Sequence, residues 1–165
     1  MPENRRWTLW LVLSAAVVAA DLASKAWVSH VFTPGDVLEV TAFFNLVLTH
    51  NTGAAFSFLA GAGGWQRWFF TAIAVAISAA IVVLLPRQRD TWLSAALALV
   101  LGGALGNLYD RLTLGRVVDF IQIHAGGYYW PAFNVADSAI TVGVVLLVWD
   151  SLRGRRAQRP QEEGP

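Results

Sequence analysis

Two carboxylates stand out because their neighbours do not suit a charge. Asp119 lies between Val117-Val118 and Phe120-Ile121, and Asp137 follows Phe133-Asn134-Val135-Ala136. Neither has a basic residue within two positions. Burial disfavours the ionised form of a carboxyl, and two carboxyls that share a site do not both ionise readily. Such a pair shares a proton. It can hold a water, with the ionised acid as base and the protonated acid polarising a carbonyl. Hydrolysis is therefore the chemistry this pair offers. The plainer reading, two acids paired for structure alone, stays open on the residues themselves.

Other catalytic sets are poorly supplied. The chain has no cysteine, which removes disulfides, thiolate metal sites and Cys nucleophiles together. No His-Glu-x-x-His occurs, so zinc hydrolysis lacks its motif. His30, His50 and His124 fall on separate loops or helix ends and read as interface residues. Ser57 lacks the Gly-x-Ser-x-Gly elbow. Gly102-Gly103 and Gly106 have no preceding strand and no following Lys, and read as close helix packing. Asp21 and Lys25 stand at i, i+4 and can pair on one helix. Asp110-Arg111 reads as a salt bridge or an interface anchor, and Asp36 and Glu39 as ordinary loop charges.

The elements that must position these acids follow from hydropathy. AVILMFWYC residues make up 56% of the 165-residue chain, and charged residues only 14%. An ordinary soluble domain carries about 25% charged residues. Neither a soluble surface nor a disordered chain can be built from this composition, and lipid is the expected solvent. A net charge of +1, with one Lys against eleven Arg, points away from nucleic acid.

A spanning helix takes about 20 apolar residues. Four stretches qualify, at about 8–31, 67–85, 91–109 and 135–152. The segment 40–66 is also uncharged, but Asn45, His50, Asn51 and several Gly disfavour a helix in lipid. Leu38, Val40, Phe44, Leu46 and Leu48 alternate there with Glu39, Thr41, Asn45 and Thr49, a strand or hairpin signature. Gly126-Gly127 and Pro131 break the uncharged run 120–136. The expected fold is an all-α integral membrane protein of four transmembrane helices with a small extracytoplasmic β-containing platform. Residues 1–152 form a single membrane domain with outer loops 33–66 and 110–134. Residues 153–165 form a disordered cytoplasmic tail.

Basic residues orient the helices. Arg5, Arg6, Arg87, Arg89, Arg153, Arg155, Arg156 and Arg159 fall on one side of a four-span chain, which gives N-in and C-in. Trp7, Trp10, Trp92 and Trp149 then mark the inner interface, and Trp27, Trp65, Trp68 and Trp130 the outer one. A cleaved signal peptide ending near Ala19-Ala20 would leave an odd number of spans with matched basic ends, and Arg5-Arg6 as a twin-arginine signal is weaker still. Asp21 lies roughly 21 Å along its helix from Trp7 at 1.5 Å per residue. Asp21, Asp110, Asp119 and Asp137 thus converge at one depth near the outer face. Intramembrane acids carry a functional reading by default. A small proton-coupled transporter and a non-catalytic assembly or lipid-binding protein share that feature with a hydrolase. Against a transporter, the acids gather at one face, not the midplane, and no inverted repeat is visible.

Four strings, in this order, resemble the lipoprotein signal peptidase (signal peptidase II) family. They are Asp21-Leu22-Ala23-Ser24-Lys25, Asn51-Thr52-Gly53-Ala54-Ala55-Phe56-Ser57, Gly106-Asn107-Leu108-Tyr109-Asp110-Arg111 with Gly115-Arg116-Val117-Val118-Asp119-Phe120, and Phe133-Asn134-Val135-Ala136-Asp137. The resemblance covers about residues 7–152. Ser24 stands where the family usually has Thr, and the hydroxyl is retained. The resemblance implies an aspartic endopeptidase of the bacterial cytoplasmic (inner) membrane, with its site at the periplasmic face. Asp119 and Asp137 would be the catalytic pair. Asp21, Lys25, Asn51, Gly53, Asn107, Arg111 and Asn134 would line or support the site. The implied substrates are diacylglyceryl-prolipoproteins, cut before the lipidated cysteine. The family needs no metal or cofactor and is inhibited by globomycin. The chain is expected to act as a monomer among membrane lipids. Loop 33–66 is a candidate platform on the bilayer, Gly61 to Gly64 a flexible segment, and loop 120–134 a candidate lid.

Overall fold

A computed structural model describes residues 6–52 and 64–157, with side chains as far as Arg153. The elements run α1 (Arg6–Val31), β1 (Val37–Thr41), β2 (Phe44–Asn51), α2 (Trp65–Leu84), α3 (Thr91–Thr113), β3 (Val117–Ala125), β4 (Tyr128–Tyr129) and α4 (Val135–Ala157). Four of these helices are long and apolar enough to cross a membrane. Pro86 lies in a short 3-10 turn, Leu85–Arg87, that follows α2, as its missing N–H and fixed ring favour. Asp90 opens α3 by accepting the Leu93 N–H at 2.8 Å, the usual N-cap arrangement.

α3 is the interior helix. It is 61% buried over its apolar window, against 11% for α1, 22% for α2 and 11% for α4. The outer three turn most of their apolar surface outward, as helices solvated by lipid do. Close packing in lipid relies on small residues, because apolar burial gives no extra drive there. A Cβ on Gly103 would run into the Ala136 carbonyl and the Ile140 side chain of α4, and one on Gly106 would meet Asp21 Oδ2 at 2.6 Å. The glycines therefore allow α3 to touch α4 and α1 where the acids lie.

α3 continues to Thr113, past the expected end at 109. The apolar run stops at Tyr109, where charge begins. Asp110 is only 2% exposed and is covered by protein, so the helix carries it without facing lipid. α4 likewise runs to Ala157 instead of ending at 152. The expected tail beyond 157, and the candidate flexible residues Gly61 to Gly63, lie outside the described residues.

The expected strands form one antiparallel sheet in the order β1-β2-β3-β4. Thr49 pairs with Asp119 and Asn51 with Val117. A register shift between Leu46 and Thr49 breaks the simple alternation read from sequence. Val47 and Leu48 are both buried in consequence. Asn45, expected on the polar face, is also buried, and its amide contacts Gln122 at 3.2 Å and the His124 ring at 3.1 Å. Val28, Leu48, Val118 and Phe120 form the apolar cluster that fixes the sheet to the helical bundle. The segment 120–134 is stitched into this sheet, since the Phe133 carbonyl accepts from Phe120 and Ile121 and Trp130 donates to Ile123. It forms an extension of the platform and not a loose flap.

Candidate functional site

At the end of the bundle that carries the sheet, α1, α3, β2, β3 and the start of α4 meet around two carboxyls. β3 presents Asp119, which is 2% exposed. Asp137 stands in the first turn of α4 and is half-buried. Asn134 precedes α4, and its Oδ1 accepts the Asp137 N–H at 2.9 Å. Asp137 Oδ2 in turn accepts the Asn134 N–H at 3.3 Å. This reciprocal capping box fixes the position of Asp137 on the helix. The same Asn134 donates from Nδ2 to Asp119 Oδ1 at 2.7 Å, so one amide links the two acids.

A second amide runs deeper. Asn107 of α3 donates to Asp137 Oδ1 at 2.7 Å. Its Oδ1 accepts from Lys25 at 3.0 Å and from Asn134 at 3.2 Å. Lys25 Nζ lies 2.7 Å from Asp21 Oδ2 and 3.0 Å from Asp110 Oδ2. The three charges are buried together. Asp110 therefore pairs across the bundle with Lys25 and not with Arg111, because adjacent helix residues do not face each other. Asp110 also accepts the Val118 N–H at 3.1 Å, tying α3 to the strand residue before Asp119. Asp21 Oδ1 accepts the Ala136 N–H at 2.9 Å. That bond satisfies an otherwise orphaned donor of α4 and places a carboxylate at the positive end of its dipole.

Asn51 on β2 hydrogen-bonds Asp119 from the neighbouring strand. Arg111 donates to the Asn107 carbonyl at 3.3 Å, and its guanidinium lies 5.4 Å from the Phe70 ring centre. Gly53 lies outside the described residues. Asp21, Lys25, Asn51, Asn107, Arg111 and Asn134 are thus gathered about Asp119 and Asp137. Asp110 is the residue whose contribution the sequence hid. Its i+3 spacing from Asn107 was the available signal, because both then face one side of α3.

Burial, followed by the Asp137 charge, pushes the Asp119 carboxyl from its ordinary 3.8 up to about 7. The Asn51 and Asn134 hydrogen bonds oppose that rise without cancelling it. His50, beside this strand pair, is held below its usual value by burial and by Arg116. Among the described residues, no group of three or more His, Cys, Asp and Glu side chains could hold a metal ion. A cleft of about 190 Å³ opens beside Asp137, between α2, α3 and α4. Phe70, Ile73, Ala74 and Ile77 form its α2 wall, with Arg111 and Asn107 on α3. One acid is therefore enclosed, and the other borders a mostly apolar opening.

Comparison with known proteins bears on the family and the fold. The chain is 53% identical over 157 residues to the lipoprotein signal peptidase of Azoarcus sp. (strain BH72), covering 94% of this chain and 88% of that protein. It is 52% identical over 155 residues to the lipoprotein signal peptidase of Pseudomonas putida, covering 92% and 91%. A solved bacterial membrane enzyme, determined by the in meso method at 2.3 Å resolution, superposes with a TM-score of 0.82 and 32% identity over 95% of both chains. The model of the signal peptidase (SPase) II family matches residues 13–153, a span that holds α2 and α3 entire with both acids and every side chain wired to them, and the chain belongs to that family.

Proposed function

We propose that this chain is an intramembrane aspartyl endopeptidase that removes the signal peptide from diacylglyceryl-modified prolipoproteins, cutting before the lipidated cysteine. One observation carries the reading. Asn134 joins a buried carboxyl on β3 to a half-buried carboxyl at the start of α4, at 2.7 Å on one side and through a capping box on the other. Family membership and relatives named lipoprotein signal peptidase supply the substrate class.

In this reading the pair holds one proton at neutral pH. Asp119, the more enclosed acid, carries it and hydrogen-bonds the scissile carbonyl oxygen. Asp137, bordering the cleft, acts as base toward a water. The water oxygen attacks the carbonyl carbon while its proton passes to Asp137. The tetrahedral intermediate then breaks its C–N bond, and the leaving amine takes a proton from the pair. Asn107 and Asn134 hold the two carboxyls in place, so the pair meets the substrate already oriented. Lys25 sits behind Asn107 and offsets the negative charge of the buried acids.

The chain is read as a multi-pass protein of the bacterial inner membrane, N-in and C-in, acting as a monomer with its acids at the periplasmic face. The apolar cleft beside Asp137 would take part of the lipid or of the signal helix. The exposed Val37, Leu38, Val40 and Phe43 would let the sheet rest on the bilayer. Globomycin-type inhibitors would compete for the same cleft. The test is a gel-shift assay on lipidated prolipoprotein in detergent, with and without globomycin. Wild type should cleave and Asp119→Asn should not, while both remain folded. Full cleavage by Asp119→Asn would overturn the dyad.

A further inference from the structure

A second cavity lies away from the acids. It has a volume of about 960 Å³ and lies where the start of α1 meets the α2–α3 connection. That is the end of the bundle away from the sheet. Arg6, Arg87 and Arg89 line it together with Trp7, Trp10 and Gln88. Among the described residues, none of the three arginines has a carboxylate within ion-pair distance. Asp90, the acid beside them in sequence, has an oxygen committed to the Leu93 N–H at 2.8 Å. Among the described residues, the cavity therefore presents guanidinium groups without a carboxylate partner beside two indoles.

We propose that this cavity binds the headgroup of an anionic phospholipid from the leaflet facing that end of the bundle. The proposal rests on the reading of the four helices as membrane spans and is independent of the peptidase reading. Guanidinium groups match phosphate oxygens in planar, two-pronged geometry. Basic pockets between helices on the cytoplasmic side are suited to anionic headgroups. Indoles favour the level of the headgroups, so Trp7 and Trp10 can flank the glycerol backbone and upper acyl chain. A volume near 960 Å³ exceeds what a free phosphate needs and suits a headgroup with its glycerol. The bound lipid would bridge α1 to the α2–α3 turn, a junction otherwise secured by apolar packing of Trp10 and Leu11 against Leu85, Leu97 and their neighbours.

The test uses the full chain in detergent, titrated with phosphatidylglycerol, phosphatidylcholine or inorganic phosphate, and reads thermal unfolding and native mass spectra. Phosphatidylglycerol should raise Tm and remain bound, whereas phosphatidylcholine and inorganic phosphate should do neither. The combined variant Arg6→Gln, Arg87→Gln, Arg89→Gln should bind phosphatidylglycerol about a hundredfold more weakly, at roughly fivefold per lost arginine. Arg153→Gln, at the same end but outside the cavity, should match wild type. A photoactivatable phosphatidylglycerol should label wild-type peptides spanning 6–10 and 86–94, which keeps the test valid if the triple variant folds poorly. Equal stabilisation by phosphatidylcholine or by inorganic phosphate would overturn the proposal. So would labelling elsewhere, or an unchanged triple variant. Peptidase assays do not enter the test, so failure of one reading leaves the other standing.

Discussion

Asn134 Nδ2 stands 2.7 Å from Asp119 Oδ1 while the same residue caps α4 with its Oδ1. One side chain thus sets the start of a helix and the position of a buried acid. Asn134→Ala removes both contacts. A lost cap costs about 1 kcal/mol, and an acid left without its buried donor adds about 1–3 kcal/mol. Asn134→Asp keeps the cap acceptor but sets a third carboxyl against the pair. Thermal unfolding in detergent should show both variants clearly destabilised, with cleavage lost in both. Wild-type cleavage in Asn134→Asp would show that the amide donor to Asp119 is dispensable.

Lys25 is the single cation between Asp21 and Asp110 in a buried cluster. Breaking a buried pair by removing one partner typically costs about 3–5 kcal/mol, because the other charge stays uncompensated. Lys25→Met should destabilise by that order. Asp110→Asn, which leaves Asp21 for Lys25, should cost less. The double variant Lys25→Met with Asp110→Asn should be less destabilised than the sum of the two, and this coupling is the quantity to measure. Additive losses would mean that Asp110 acts only through the Val118 N–H.

At Gly106, α3 passes close to the Asp21 carboxylate, where a Cβ would stand 2.6 Å from Oδ2. Gly106→Ala should force Asp21 or the helix to move and cost about 1–3 kcal/mol as overpacking. The Ala136 N–H would lose its acceptor, and Asp137 would shift with the end of α4. Lower kcat with an unaltered far-ultraviolet spectrum is the expected outcome. Unchanged kcat would mean that Asp21 can be displaced without disturbing Asp137.

These relationships show how far the sequence could be read. The four helices follow from apolar runs between basic clusters, and the family strings contain Asn51, Asn107 and Asn134, whose side chains hydrogen-bond Asp119 or Asp137. Convergence of the acids at one end follows from antiparallel spans alone. The wiring does not follow. Asp110 beside Arg111 looks like a local pair until α1 brings Lys25 across the bundle. Asn45 looks exposed by alternation until β3 brings Gln122 and His124 against its amide. Both misreadings have one cause: a local pattern cannot register a partner supplied by another element.

The proton on Asp119 yields the last prediction. Its carboxyl releases that proton near pH 7 in the folded chain and near 3.8 once exposed. Between those values the folded state holds a proton that the unfolded state has lost, so folding stability falls as pH rises. The loss approaches about 1.4 kcal/mol per pH unit and levels off above about 7. Asp119→Asn lacks this titration, so its stability relative to wild type should rise from pH 4 to 7 and then stay level. In the proposed mechanism the same ionisation removes the proton with which Asp119 hydrogen-bonds the scissile carbonyl. For wild type, kcat/KM should therefore decline above about pH 7, because that parameter reports the free enzyme. Unfolding of both proteins across pH 4–9, beside cleavage rates of the wild type, measures the two effects independently. A stability difference that does not change with pH would show that Asp119 stays ionised when folded, and its assignment as the proton donor to the carbonyl would fail.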